Sequence, residues 1–118
     1  MSDYSLFFKK YIKYADIYFE CQHNGDYKKG NRAMRRLVEL DKEFDNDKVL
    51  YEYMIKKATE CNNKMALVEL YSYGLITGYN KNKCILELEK LRLDESLGII
   101  SMTIKLLLDD PHAINNNT

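Results

Sequence analysis

The stretch Asn24-Gly-Asp-Tyr-Lys-Lys-Gly-Asn-Arg-Ala-Met-Arg-Arg36 decides how this chain is read. Gly25 and Gly30 stand five apart, as glycines do in a phosphate-cradling loop, and Lys28, Lys29, Arg32, Arg35 and Arg36 crowd the positions that follow. A phosphate loop, however, needs Lys and then Ser or Thr after its last glycine, to reach the phosphates and the metal. Here Asn31 and Arg32 follow Gly30, and the segment before the loop has helical rather than strand periodicity. The stretch is therefore a helix–turn–helix junction: Gly25 supplies positive φ, Asp26 caps a new helix, and Gly30 lies inside it. A glycine there costs about 1 kcal/mol relative to alanine, which close approach to the first helix, with its aromatic side chains, would explain. Asn31 is expected to be a buried polar residue bonded to nearby backbone.

Outward from this junction the chain divides into six helical segments. The first, residues 4 to 22, carries Phe8, Tyr11, Ile12, Ala15, Tyr18 and Phe19 at helical spacing, with a weaker stripe through Phe7, Tyr14 and Ile17. The second runs to about Phe44 with Gly30, Met34, Leu37, Leu40 and Phe44 in line. Asp47 caps a third, with Leu50, Tyr53, Met54, Ala58 and Cys61. Asn62 and Asn63 begin a fourth, through Leu67, Val68, Tyr71 and Leu75 towards Gly78. Asn80 opens a fifth, with Ile85, Leu88 and Leu91. A sixth follows Asp94, with Leu97, Ile100, Ile104, Leu107 and Leu108, and is closed by Asp109-Asp110-Pro111. Ile99, Met102 and Leu106 make this last helix apolar on more than one face, the pattern of a helix buried among others. Short connections make consecutive helices antiparallel neighbours. The expected fold is all-α, about six helices in antiparallel pairs, as a HEAT-like α-α superhelix or, alternatively, a compact helical bundle. It forms one domain over residues 1–118, with 111–118 fraying as a tail.

Composition narrows the function. The chain has 118 residues with 18 basic and 18 acidic side chains, and zero net charge argues against a general nucleic-acid coat or a membrane-surface protein. No segment has the length of a membrane span or signal core, so a cytoplasmic protein is expected. Cys21, Cys61 and Cys84 are odd in number and far apart, which reads as reduced core thiols. Cys21 and His23 form a lone C-x-H without the other ligands a metal needs. His23, in a turn, and His112, in the tail, lack evident partners, so neither metal, cofactor nor catalytic constellation is expected.

Two surfaces remain as interaction candidates. Lys28, Arg32 and Arg36 lie at i, i+4, i+8, and with Lys29 and Arg35 could follow a nucleic-acid backbone. Against this, Arg35 and Arg36 can each pair with an acid three or four residues on, which is the reading of an ordinary solvated face. The second candidate is acidic: Glu39, Asp41, Glu43, Asp45 and Asp47, with Tyr51 and Glu52 just beyond. Ten tyrosines in so small a chain, of which Tyr4, Tyr14, Tyr27, Tyr51, Tyr73 and Tyr79 fall outside the core lines, also suit a binding surface.

The run from Phe7 to Phe44 resembles the N-terminal hairpin of a family of small bacterial all-helical, HEAT-like domains, in which an aromatic-containing helix leads into a G-D-x-x-x-x-N-R/K turn. Gly25, Asp26, Asn31 and Arg32 occupy the motif positions here, and the downstream helices follow the family's order. The fourth helix departs from the family's V-R-x-x-A-A start, with Met65, Ala66 and Leu67 in that area and Tyr71 and Tyr73 beyond. Some such proteins are encoded beside toxins and act as immunity proteins, including in contact-dependent growth inhibition. The resemblance thus implies a non-enzymatic protein whose partner is a cognate protein toxin; if that toxin is a nuclease, its active site is basic and the acidic segment would cover it. An adaptor or homo-oligomerising scaffold is the alternative; nucleic-acid binding through the basic face is a second.

Overall fold

A computed structural model describes residues 3–110, and the expected 111–118 tail lies outside them. The described chain is all-α: α1 Tyr4–Asn24, α2 Tyr27–Asp41, α3 Lys48–Glu60, α4 Lys64–Thr77, α5 Lys81–Arg92 and α6 Ile100–Leu108. There is no strand among the described residues, and no helix is long and apolar enough to cross a membrane. The chain divides into two compact units, Met1–Leu67 and Val68–Thr118.

The helix boundaries follow local chemistry. Asp3 accepts the Leu6 N–H at 3.0 Å to start α1, and Gly25, at φ 86°, ends it by donating its N–H to the Cys21 carbonyl. Asp26 and Asp47 cap α2 and α3 by accepting the Lys29 and Leu50 N–H groups. Asn62 and Asn63 split their work. Asn62 takes the left-handed conformation that closes α3, and the Asn63 side chain accepts the Ala66 N–H to open α4. Two expected helices are shorter than their apolar lines. The second ends at Asp41, and Phe44 is carried on a 3₁₀ turn, Lys42–Asp45. The sixth is interrupted: Asp94 caps a 3₁₀ turn, Glu95–Leu97, and Gly98 at φ 56° redirects the chain before α6 begins.

In the first unit α1 and α2 are antiparallel. The Cys21 end of α1 lies against Gly30 near the start of α2, while Tyr11, nearer the start of α1, meets Asp41 at the end of α2. A Cβ added at Gly30 would stand 3.0 Å from the Cys21 Cβ and 4.0 Å from the Tyr18 ring. The close approach anticipated for this glycine is real, and the cysteine rather than the aromatics sets it. α3 runs alongside α1 in the same sense, since Tyr4 bonds Asp47 at one end and the Asn63 amide donates to Asp16 at the other. Phe44 fills the middle, within 5.2–6.1 Å of the Tyr51, Phe7 and Tyr11 rings.

In the second unit α5 and α6 pack as a pair, burying Cys84 and Leu88 with Leu97, Ile100 and Ile104. The part of α4 in this unit is buried on several faces, through Val68, Leu70, Tyr71, Tyr73 and Leu75, whereas α6 is not the buried helix its apolar content suggested. Ile99, Met102 and Leu106 instead face solvent, at 50%, 58% and 66% exposure. An apolar residue is buried only where a neighbouring element meets its face, and among the described residues none covers this one.

Candidate functional site

The acidic segment separates into residues that hold the fold and residues that face out. Asp41 is 7% exposed, and its Oδ1 accepts the Tyr11 hydroxyl at 2.7 Å. It is therefore a buried, hydrogen-bonded carboxylate and not the surface contact expected of it. The sequence did carry the signal: Ala33, Leu37 and Asp41 recur at intervals of four, so Asp41 continues the buried stripe. Tyr51 is likewise buried at 2% exposure, edge-on to Phe44, which removes it from the contact surface. Asp47 is occupied as the α3 cap and accepts the Tyr4 hydroxyl at 2.9 and 3.1 Å. This bond, with desolvation and the negative charge of Asp47, raises the Tyr4 pKa above its ordinary 10.0. Glu39, Glu43, Asp45 and Glu52 face solvent, the first at the end of α2, the next two on the 3₁₀ turn and the last on α3.

The five residues of the basic candidate all lie on the surface. Lys28, Lys29, Arg32, Arg35 and Arg36 are all exposed. At about 100° per residue they share an arc of roughly 120° on α2, opposite the buried Gly30, Ala33 and Leu37. Arg36 meets Glu39 at 3.4 Å across an exposed i,i+3 pair, as the charge pattern led us to expect. Such a pair contributes only a few tenths of a kcal/mol. The other four make no ion pair among the described residues. Asn31, expected to be buried, is exposed beside them.

Of the six tyrosines outside the core lines, Tyr51 and Tyr73 are buried, Tyr4, Tyr14 and Tyr79 are half-buried, and Tyr27 alone is counted exposed, at 53%. Among the thiols, Cys21 and Cys84 are buried and Cys61 is exposed, so Cys61 is not the core residue its spacing suggested. His23 lies in the last turn of α1 rather than in a turn between helices, its ring tilted 41° to the Phe19 ring at 4.3 Å. It borders an open groove of about 500 Å³ lined by Asp16, Phe19, Glu20 and Asn24. Among the described residues no group of three His, Cys, Asp or Glu side chains converges on one metal position, and every buried side-chain nitrogen or oxygen has a hydrogen-bond partner.

The fold and these surfaces define an all-helical protein of paired helices, with charged and apolar faces turned outward. No family model, curated protein or solved structure matches the chain.

Proposed function

We propose that the chain is a non-enzymatic protein-binding domain, and that it acts as a bacterial immunity protein neutralising a cognate toxin, in this reading a nuclease. The observation that carries the proposal is the acidic ledge at the α2–α3 junction. Glu39, Glu43, Asp45 and Glu52 project from a segment anchored beneath by Tyr11–Asp41, Tyr4–Asp47 and the buried Phe44. A nuclease must attract phosphate, so its active site is basic. Carboxylates on a preorganised frame meet it with fast, salt-sensitive association and little ordering cost. Neutralisation then is steric and electrostatic, without turnover.

The test is growth rescue by co-expression with the C-terminal segment of a large secreted protein encoded beside this chain. Wild type should rescue, and E43K/D45K/E52K should associate at least about tenfold more slowly at low salt. Lack of rescue by the wild-type chain, or a metabolic operon in place of such a neighbour, would refute the reading. An adaptor or self-assembling scaffold is the second reading, favoured by the exposed Ile99, Met102 and Leu106 stripe. Concentration-dependent sedimentation of the isolated chain separates it from the first.

A further inference from the structure

We propose that the outer face of α2 is a binding surface for single-stranded nucleic acid, holding its phosphates through Lys28, Lys29, Arg32, Arg35 and Arg36 and stacking one base on Tyr27. The face is built of five exposed cations in one arc, and from Tyr27 to Val38 the helix contains no acid. From Lys28 to Arg36 the helix advances about 12 Å, over which one strand of a stacked helix presents three to four phosphates at about 3.4 Å each.

Electrostatics within the helix favour a polyanion there. Lys28 and Lys29 stand in the first turn, where the helix dipole is positive and the Asp26 cap is the one acid that offsets it; Arg32 follows in the first half of the helix, and Arg35 and Arg36 lie beyond its middle. Neighbouring like charges at i,i+4 add their own repulsion. Phosphates relieve both. The single counter-charge on the face, Glu39, engages Arg36 in an exposed bridge that yields to a stronger anion.

Tyr27 selects the kind of partner. It is the first residue of α2, about half exposed, at the end of the helix from which the cationic row starts and about 80° round from Arg35, with the exposed Asn31 between them in helical angle. Lysines and arginines alone would suit an acidic protein equally well. A cationic track ending in an exposed aromatic is how unpaired bases are held, because every base has a face to stack and a duplex hides it. With zero net charge over the chain, a polyanion is drawn by local clusters of charge rather than by the protein as a whole. The site adjoins the acidic ledge of the proposed toxin contact at Glu39, and the cations themselves are no part of that ledge.

The experiment is fluorescence anisotropy with labelled oligouridylate and oligothymidylate 20-mers. With three to four phosphates neutralised, the log–log salt slope is about −2 to −3, so binding weakens about 20- to 50-fold between 50 and 200 mM salt. R32E/R35E, at two exposed positions and checked for retained helicity, should weaken binding at least about tenfold and flatten the slope. Y27A should weaken it about fivefold or more with the slope unchanged, because it removes stacking and no charge. Equal affinity for both oligomers supports backbone and base-face recognition, and a marked preference for oligouridylate adds the 2′-hydroxyl to it. The proposal is overturned by absence of saturable binding up to about 200 µM protein at 50 mM salt, or by R32E/R35E binding as wild type does. Y27A binding unchanged, tighter binding of the matching duplex, or tighter capture of poly-glutamate, which would give the face to an acidic protein, overturns it equally.

Discussion

Replacing Tyr11 by phenylalanine removes one oxygen atom from the interior of the first unit and leaves the ring stack intact. The ring lies between Phe7 and Phe44, with centroids 6.4 and 6.1 Å away, and has no solvent exposure. Its hydroxyl is donated at 2.7 Å to Asp41, itself 7% exposed. A hydrogen bond to a charged acceptor contributes about 1.5–3 kcal/mol, and a buried carboxylate deprived of a donor cannot recover the loss from bulk water. We take about 2 kcal/mol as the expected loss; for a chain of this size, with an unfolding entropy near 2.1 cal/mol/K per residue, the Tm should fall by roughly 8 °C. Urea unfolding followed by circular dichroism measures it, and an unchanged m-value shows that the denatured state is not the cause. D41N and the double variant complete a cycle whose coupling should be at least about 1 kcal/mol, since the two groups touch. Tyr4→Phe is the internal control: its acceptor Asp47 is only part-buried and also caps α3, so solvent replaces the lost hydroxyl at smaller cost. The reasoning is refuted if Y11F and Y4F lower stability equally, or if Y11F costs under about 0.5 kcal/mol, the range of ordinary surface changes.

Gly30→Ala opposes two terms. Helix propensity favours alanine by about 1 kcal/mol, but the new methyl would meet the Cys21 Cβ at 3.0 Å. Unstrained carbons sit about 3.5–4.0 Å apart, and a Cβ cannot swing aside, so α1 and α2 must separate. Overpacking of this kind costs about 1–3 kcal/mol, and a net loss of about 1 kcal/mol is expected by denaturant titration; a gain in stability would dispose of the close approach. The Tyr4–Asp47 bond sets a pH dependence. Because the folded pKa of Tyr4 lies above 10.0, its contribution is complete below that pH and is lost as pH rises through the raised value. The stability difference between wild type and Y4F should thus be constant through neutral pH and vanish in the alkaline range. A difference that grows with alkalinity would contradict the assignment.

Asp26 and Asp47 were legible as caps, and Gly25 as a terminator, because each acts on groups no more than four residues away, and that spacing is written in the chain itself. The same is true of the basic arc on α2: its members face outward because the opposite side of the same helix carries Gly30, Ala33 and Leu37. Asp41 and Tyr51 were misplaced for the opposite reason. A carboxylate beside Lys42 and Glu43 looks solvated until Tyr11, thirty positions earlier, brings a hydroxyl to it. α6 shows the same limit in reverse, since apolar content states what a helix could bury and not whether another element arrives to cover it. Short-range hydrogen bonds and helical period therefore determined the six helices and the cationic face from the sequence alone. Which carboxylates remain on the surface, and which greasy side chains stay uncovered, was decided only when distant segments packed, because burial is a property of two faces and each segment encodes one.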